Sequence, residues 1–340
     1  MNTKLNNAAI ASNIAKGWKP NHYLTNLSVA QFQPDDWFVS PFIFPIVPVQ
    51  LSTGYYYVFN KGDLARDNVQ PKPEFGKVTP MIFGSEKKLY SCGVDQIIVG
   101  IDQISSLDYQ RAGTPGISDP RRAKVRIATD QLKLHMDRIF AESYFKAGVW
   151  SNEYTGVNTT PGANEFHKFN DANFDAVTFI GSLRTKMQKE GRRKPNTLAL
   201  GVEAYEGLKS NPGILDRVKY SGSTANPATI NTNVLAQLLE IERVVVLNSV
   251  YNAGGYGQTD MKFVCDSKAA LLAYAAPNAA IDEASAGYTF AWDMLGNGQY
   301  LAFDQFEGEP GTHTEYMEGL MSYTPEKVCD ELGYFLKQCV

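Results

Sequence analysis

An α+β fold follows from three features of the sequence. The stretch DPRRAKVRIATDQLKLHMDRIFAESYFKAG at 119–148 reads as one long helix, several apolar and aromatic runs are broken by proline and glycine as strands are, and from Pro195 short helical and extended patterns alternate. At 340 residues the chain is long enough for one large or two modest domains with sizeable cores.

The helix at 119–148 carries its own boundary signals. Asp119 is placed to cap the first N–H groups, Pro120 sits where a missing donor costs nothing, and Gly148 suits the left-handed residue that ends a helix. Val125, Ala128, Leu132, Met136 and Ile139 recur at three- and four-residue steps and form one apolar stripe. Arg122, Arg126, Asp130, Lys133, Asp137 and Glu142 fill much of the rest, which predicts a rod roughly 40 Å long that is only partly covered. Such a rod is either a spine for the molecule or a long surface helix packed on a sheet.

Ahead of it, residues 1–36 are rich in Asn, Ser and Thr without a strong period and read as an arm that a neighbour orders. WFVSPFIFPIVPVQL at 37–51 is strongly apolar, yet Pro41, Pro45 and Pro48 each remove a ladder donor, which places it at a sheet edge or bulge. Tyr55, Tyr56, Tyr57, Val58 and Phe59 make a strand-like run. The polar stretch 61–88, with Gly62, Pro71, Pro73, Gly76, Pro80 and Gly84, reads as a long protruding loop or hairpin. A two-stranded projection is marginal alone in water, so it is either supported by another subunit or an ordinary surface insertion.

Strand returns at 89–101, and 111–119 is a Gly/Pro linker into the long helix. After Trp150 a Thr-, Asn- and Gly-rich region predicts a β-hairpin, and 174–189 predicts a helix with Ala176, Ile180, Leu183 and Met187 on one face, stopped by Gly191. Then come a strand at 197–200, helices at 202–209 and 233–241, and a strand at 243–250. YNAGGYGQTD at 251–260 is a flexible glycine-rich loop, with strands after it at 262–265, 271–275, 287–292 and 300–306. The last stretch, through Tyr316, Leu320, Val328 and Phe335, is expected to rejoin the first half in one sheet.

Composition narrows the function. The chain is 44% hydrophobic and 20% charged with a net charge of -4, the profile of a soluble globular protein and not of a dedicated nucleic-acid binder. Arg121-Arg122 and Arg192-Arg193-Lys194 then read as solvated or salt-bridged faces. Asn6, Asn7, Ser12 and Asn13 interrupt any apolar run near the start, and no segment reaches about 18 apolar residues in succession. The expectation is a protein without signal peptide or membrane span, made and kept in a cytoplasm.

Catalytic patterns are missing. Cys92, Cys265, Cys329 and Cys339 have no CxxC spacing, and His22, His135, His167 and His313 are scattered, so no metal or cofactor set emerges. Gly254-Gly255-Tyr256-Gly257 is not a phosphate loop, because no Lys-Ser/Thr pair follows it. There is no GxSxG, and the carboxylate pairs Asp35-Asp36, Asp282-Glu283 and Glu307/Glu309 are not singled out by any partner. The chain does not read as an enzyme.

Several stretches taken in order resemble the major capsid proteins of tailed bacteriophages, of the Hong Kong 97 fold. They are PIVPVQLSTGYYYVFNKGDLARD (45–67), RRAKVRIATDQLKLHMDRIFAESYFKAGVW (121–150), PNTLALGVEAYEGLKSNPGILDRVKYSG (195–222), VVVLNSVYNAGGYGQTD (244–260) and AGYTFAWD (286–293). The succession carries the resemblance, since no single motif is diagnostic. It implies an N-terminal arm at 1–36, a peripheral domain beginning at 37–58, an extended loop at 59–92, and a peripheral continuation at 93–193 with the spine helix 119–148. An axial domain at 194–304 and a peripheral return segment at 305–340 complete the layout.

Function under this resemblance is geometric. Heterologous contacts would close rings of five and six copies, and the rings would join into an icosahedral shell around double-stranded DNA met by nonspecific contact. The resemblance places assembly contacts at Lys61, Asp63, Arg66 and Asp67 in the extended loop, at Arg121 and Arg122 where the spine begins, and at Tyr251, Gly254, Gly255 and Gly257 in a loop that crowds the local axes. Implied partners are further copies in pentamers and hexamers, a portal protein, a scaffolding protein and a decoration or cement protein, in a virion assembled in a bacterial cytoplasm. A 36-residue arm leaves little room for a cleaved scaffolding segment, so a separate scaffold and an already processed chain both stay open. Lys61, Lys72, Lys77, Lys87 and Lys88 are available for covalent cross-linking, but no local signature supports it. An encapsulin-like shell around a cargo enzyme is the alternative within the same fold, and a monomeric carbohydrate- or ligand-binding module is the alternative outside it.

Overall fold

The computed structural model describes residues 38–59, 65–67, 69–72, 74–78, 80, 84–103, 120–221, 230–255, 257–278, 283–294 and 300–340. The expected arm at 1–36, the linker at 111–119 and the Asp119 cap lie outside them.

A helical turn, α1 (Ser40–Ile43), precedes β1 (Ile46–Val49), β2 (Thr53–Phe59), β3 (Ser85–Ser91), β4 (Gly93–Asp102) and the long helix α2 (Pro120–Tyr144). The middle of the chain holds β5 (Glu153–Val157), β6 (Glu165–His167), α3 (Ala176–Gly191), β7 (Thr197–Gly201), α4 (Val202–Lys209), α5 (Pro212–Ser221), α6 (Thr232–Leu238) and β8 (Arg243–Leu247). It closes with β9 (Val250–Asn252), β10 (Met261–Phe263), β11 (Ala270–Ala273), β12 (Gly287–Trp292), β13 (Leu301–Glu307), β14 (Thr314–Lys327) and β15 (Gly333–Lys337).

Two sheets carry the cores. In the first, the 14-residue β14 pairs antiparallel with β4 along one edge and with β13 and then β12 along the other, and β1 adds parallel to β12. In the second, the order is β6-β5-β15-β11-β7-β8, covered by α3 to α6 through Ile180, Leu183, Met187, Leu208, Ile214 and Leu235.

The two cores share one rod. Val125, Ala128, Leu132 and Met136 of α2 lie on Ile101, Phe303, Met317 and Met321 of the first sheet, as the apolar stripe predicts. Each such side chain contributes about 1.5–3 kcal/mol on leaving water. One and two turns later, Phe140, Ala141 and Phe145 belong to the core of the second sheet. A straight helix is stiff, so this arrangement fixes one sheet against the other.

The rod departs from expectation in two ways. It ends at Tyr144 and not at Gly148, although Gly148 does have a positive φ of 85°. Phe145 turns inward to meet Phe335 edge-on at 5.4 Å, and Trp150 Nε1 donates to the Tyr144 carbonyl at 2.9 Å, so aromatic packing closes the helix early. Lys133 and Asp137, read as part of the uncovered face, are 4% exposed. Phe38, Val39 and Ser40 cover them from the far end of the sequence.

Two further expectations change, on the hairpin after Trp150 and on the last stretch. The region after Trp150 is not a hairpin: Glu165–His167 of β6 run parallel to Thr155–Val157 of β5, reached through a turn in which the Glu165 N–H donates to the Gly162 carbonyl. β12 and β13 stand in the first sheet beside β14, where Tyr288, Phe290, Leu301 and Phe303 find apolar partners. The return segment 305–340 divides between the sheets. β14 does rejoin β4 of the first half, but β15 inserts between β5 and β11 and buries Tyr334, Phe335 and Leu336 in the second core.

Candidate functional site

Two hairpins stand off the sheets. The first is β2–β3, paired from Thr53↔Ser91 to Phe59↔Ser85. Side chains alternate across a strand, so the Tyr55-Tyr56-Tyr57 run splits between its two faces. Tyr56 turns inward with Tyr90, and both rings lie on Phe290 of β12, with centroids 5.3 and 4.6 Å away. Burial, followed by the charge of Glu326, pushes the Tyr56 hydroxyl up to about 12, and burial raises Tyr90 as well. These phenols stay neutral and act as anchors.

The other face of this hairpin is apolar and open to water. Tyr55, Tyr57 and Leu89 are 58%, 54% and 54% exposed, Tyr55 and Leu89 lie directly opposite, and the Lys87 ammonium sits 3.9 Å above the Tyr55 ring. Of the residues expected in the loop beyond it, Lys61 and Asp63 lie outside the described residues. Arg66 and Asp67 are exposed, and Asp67 Oδ1 accepts from the Val69 N–H at 3.1 Å.

The second hairpin is β9–β10, with Tyr251 opposite Lys262. Its glycine-rich connection, of which Tyr256 lies outside the described residues, carries a set of internal hydrogen bonds. Asn252 organises it: its Oδ1 accepts from Gly254 and Asp260 N–H groups and its Nδ2 donates to the Gln258 carbonyl, while Gln258 N–H donates to the Gly255 carbonyl. A Cβ on Gly254 would lie 2.9 Å from the Gln258 carbonyl oxygen, and Gly257 has φ of 83°, whereas a Cβ on Gly255 would meet nothing. Two of the three glycines are therefore required by the turn itself.

This hairpin is rooted on α2. The Arg138 guanidinium, paired with Glu142 at 2.7 Å, lies 5.5 Å from the Tyr251 ring, and Ser249, just before β9, donates to Asp137 at 2.7 Å. Met261 and Phe263 of β10 are exposed. Arg121 and Arg122 fall in the first turn of α2, about 24 Å along the rod from Arg138, so the expected assembly residues form separate groups. Tyr57, Leu89, Arg138, Met261 and Phe263 were not singled out by sequence. Of these, Tyr57 lies in the strand-like run at 55–59, and side-chain alternation along that strand is the signal that would place it beside Tyr55.

Among the described residues no group of three or more His, Cys, Asp or Glu side chains stands close enough to hold a metal ion. Burial pushes the Cys92 thiol up to about 12 and Cys329 to about 11, far from a reactive thiolate. Among the described residues no helix is long and apolar enough to cross a membrane.

No protein-family model matches the chain. The major capsid protein of Burkholderia phage BcepMu is 24% identical over 230 residues, which are 67% of this chain and 68% of that protein. A phage-related protein from Bordetella bronchiseptica RB50 overlays with a TM-score of 0.71 at 17% identity, covering 94% of this chain and 97% of that one. The fold is the Hong Kong 97-type capsid fold. The SrpI encapsulin of Synechococcus elongatus PCC 7942, solved as a holo complex, shares this capsid fold more distantly, with a TM-score of 0.51 at 11% identity over 91% of this chain and 89% of that one.

Proposed function

We propose that the chain is a tailed-phage major capsid protein that assembles through pentamers and hexamers into an icosahedral head around double-stranded DNA. One observation supports this above the others: β2–β3 packs one face on its own subunit through Tyr56 and Tyr90, and presents Tyr55, Tyr57 and Leu89 to water on the other. Exposed apolar faces on a two-stranded projection are costly for a solitary protein and useful when a second copy covers them. The peripheral domain is the first sheet with α2, and the axial domain is the second sheet with α3 to α6. Residues 1–36 are the arm in this reading. Portal, scaffolding and decoration proteins are the remaining partners, and DNA meets the shell without base readout.

The sequence relative separates this reading from a cargo shell. The BcepMu protein is named as a phage capsid protein and is 24% identical, whereas the encapsulin shares 11%. Mass spectrometry of purified particles should find portal and tail proteins; one dominant cargo enzyme would favour the encapsulin reading. Deleting 62–88 and closing the gap, which also removes Ser85–Lys88 of β3, should leave a soluble folded subunit that builds no normal shells. Intact shells from that variant would remove the role given to the extended loop.

A further inference from the structure

A single carboxylate on α2 receives hydrogen bonds from two distant parts of the chain. Asp137 Oδ1 accepts from the Ser40 N–H at 3.0 Å, and Oδ2 accepts from the Val39 N–H at 3.3 Å and from the Ser249 hydroxyl at 2.7 Å. Asp137, Val39, Ser40 and Ser249 are all buried. Val39 and Ser40 are 97 or more residues away in sequence, while Ser249 is 112 residues away at the root of β9–β10. Phe42 and Phe44 continue this segment, their N–H groups donating back to Val39 and Ser40 at 3.0 and 2.8 Å. Phe44 then packs edge-on against Phe140 of α2 at 5.1 Å.

Charged and titratable groups near this point belong to α2 and to the segments packed on it. Lys133, one turn earlier, lies 5.3 Å from the Phe38 ring, Arg138 turns away to Glu142 and Tyr251, and Cys265 and Tyr323 sense the Asp137 charge. Burial raises the Asp137 carboxyl above its ordinary value, opposed by hydrogen bonds from Ser40, Ser249 and Val39. A buried carboxylate tolerates its surroundings in proportion to the donors it keeps, so losing one donor raises the cost of leaving the rest in place.

We propose that Asp137 is a latch that couples the seating of residues 38–44 on α2 to the seating of the β9–β10 hairpin, so that releasing one loosens the other. The latch lies within one subunit and holds whether or not the chain builds shells. It makes Asp137 a positioning residue that links residues 38–44 to the glycine turn through the spine.

Hydrogen–deuterium exchange on the full chain tests it. Ser249→Ala should speed exchange about tenfold at the Val39, Ser40, Phe42 and Phe44 amides as well as across 250–263, since a hydrogen bond to a charged group is at stake. The amides of β11 and β15 should be unchanged. Ser249→Thr, which keeps the hydroxyl, should behave as wild type in both places, and Asp137→Asn should speed both. Acceleration confined to 250–263, acceleration spread evenly over both sheets, or a Ser249→Thr variant as fast as Ser249→Ala would each overturn the coupling. If Asp137→Asn does not fold, the two Ser249 variants decide alone.

Discussion

Phe290→Ala tests whether the β2–β3 hairpin hangs on one ring. Phe290 is 1% exposed, Tyr90 stacks on it at 4.6 Å with planes 17° apart, and Tyr56 lies at 5.3 Å. Truncating a buried phenylalanine costs about 3–5 kcal/mol, of which two aromatic pairs at about 0.5–1.5 kcal/mol each account for roughly 1–3 kcal/mol. Phe290→Leu keeps most of the apolar volume and should lose only that smaller part. Urea unfolding followed by circular dichroism reads the total, and limited proteolysis between β2 and β3 reads the hairpin. The alanine variant should be cut faster between the strands, and Tyr56, no longer held dry, should titrate closer to its ordinary value of 10.0 than to about 12. An alanine variant within about 0.5 kcal/mol of wild type, far below the expected cost, would show that the hairpin is anchored elsewhere.

Replacing Leu132 and Met136 together by Asp puts two unpaired charges between α2 and the first sheet, and soluble expression with a cooperative thermal transition should be lost; unchanged melting would mean the apolar stripe does not face that sheet. In the glycine turn, Gly255→Ala should be near neutral in thermal melts, while Gly257→Ala should cost roughly 1–2 kcal/mol for its left-handed backbone. Gly254→Ala should also be destabilising, through the Gln258 carbonyl. Tyr56 has a folded value raised from 10.0 to about 12, so its contribution is fully present below pH 10 and is lost as pH rises toward 12. Alkaline unfolding curves should show a decline in that window that is smaller in Tyr56→Phe.

The elements legible in the sequence are those set by local period. The stripe of α2 and the buried face of α3 at Ala176, Ile180, Leu183 and Met187 coincide with their sequence patterns, because a helix on a sheet buries every third or fourth residue. α4 and β12 fall on their expected bounds. α5 was passed over although Asn211 and Pro212 mark its start, and in the structure Asn211 Oδ1 accepts from the Gly213 and Ile214 N–H groups. Contacts between distant segments were not legible. Lys133 and Asp137 look solvent-facing until 38–40 lies over them, and nothing local in β15 shows that it leaves β14 for the second sheet.

The candidate surfaces were legible to the same extent. A strand could be read from Tyr55, Tyr56 and Tyr57, but which ring turns inward depends on Phe290, more than 200 positions on. The glycine turn was placed correctly in sequence, yet its order comes from the Asn252 amide and its footing from Arg138, neither of which advertises a partner.

Sedimentation velocity of the purified chain over a wide concentration range, with electron microscopy of the fast fraction, tests the assembly claim most directly. The account predicts rings and closed shells that grow in proportion as concentration rises. A single species at 37.6 kDa at every concentration would contradict it.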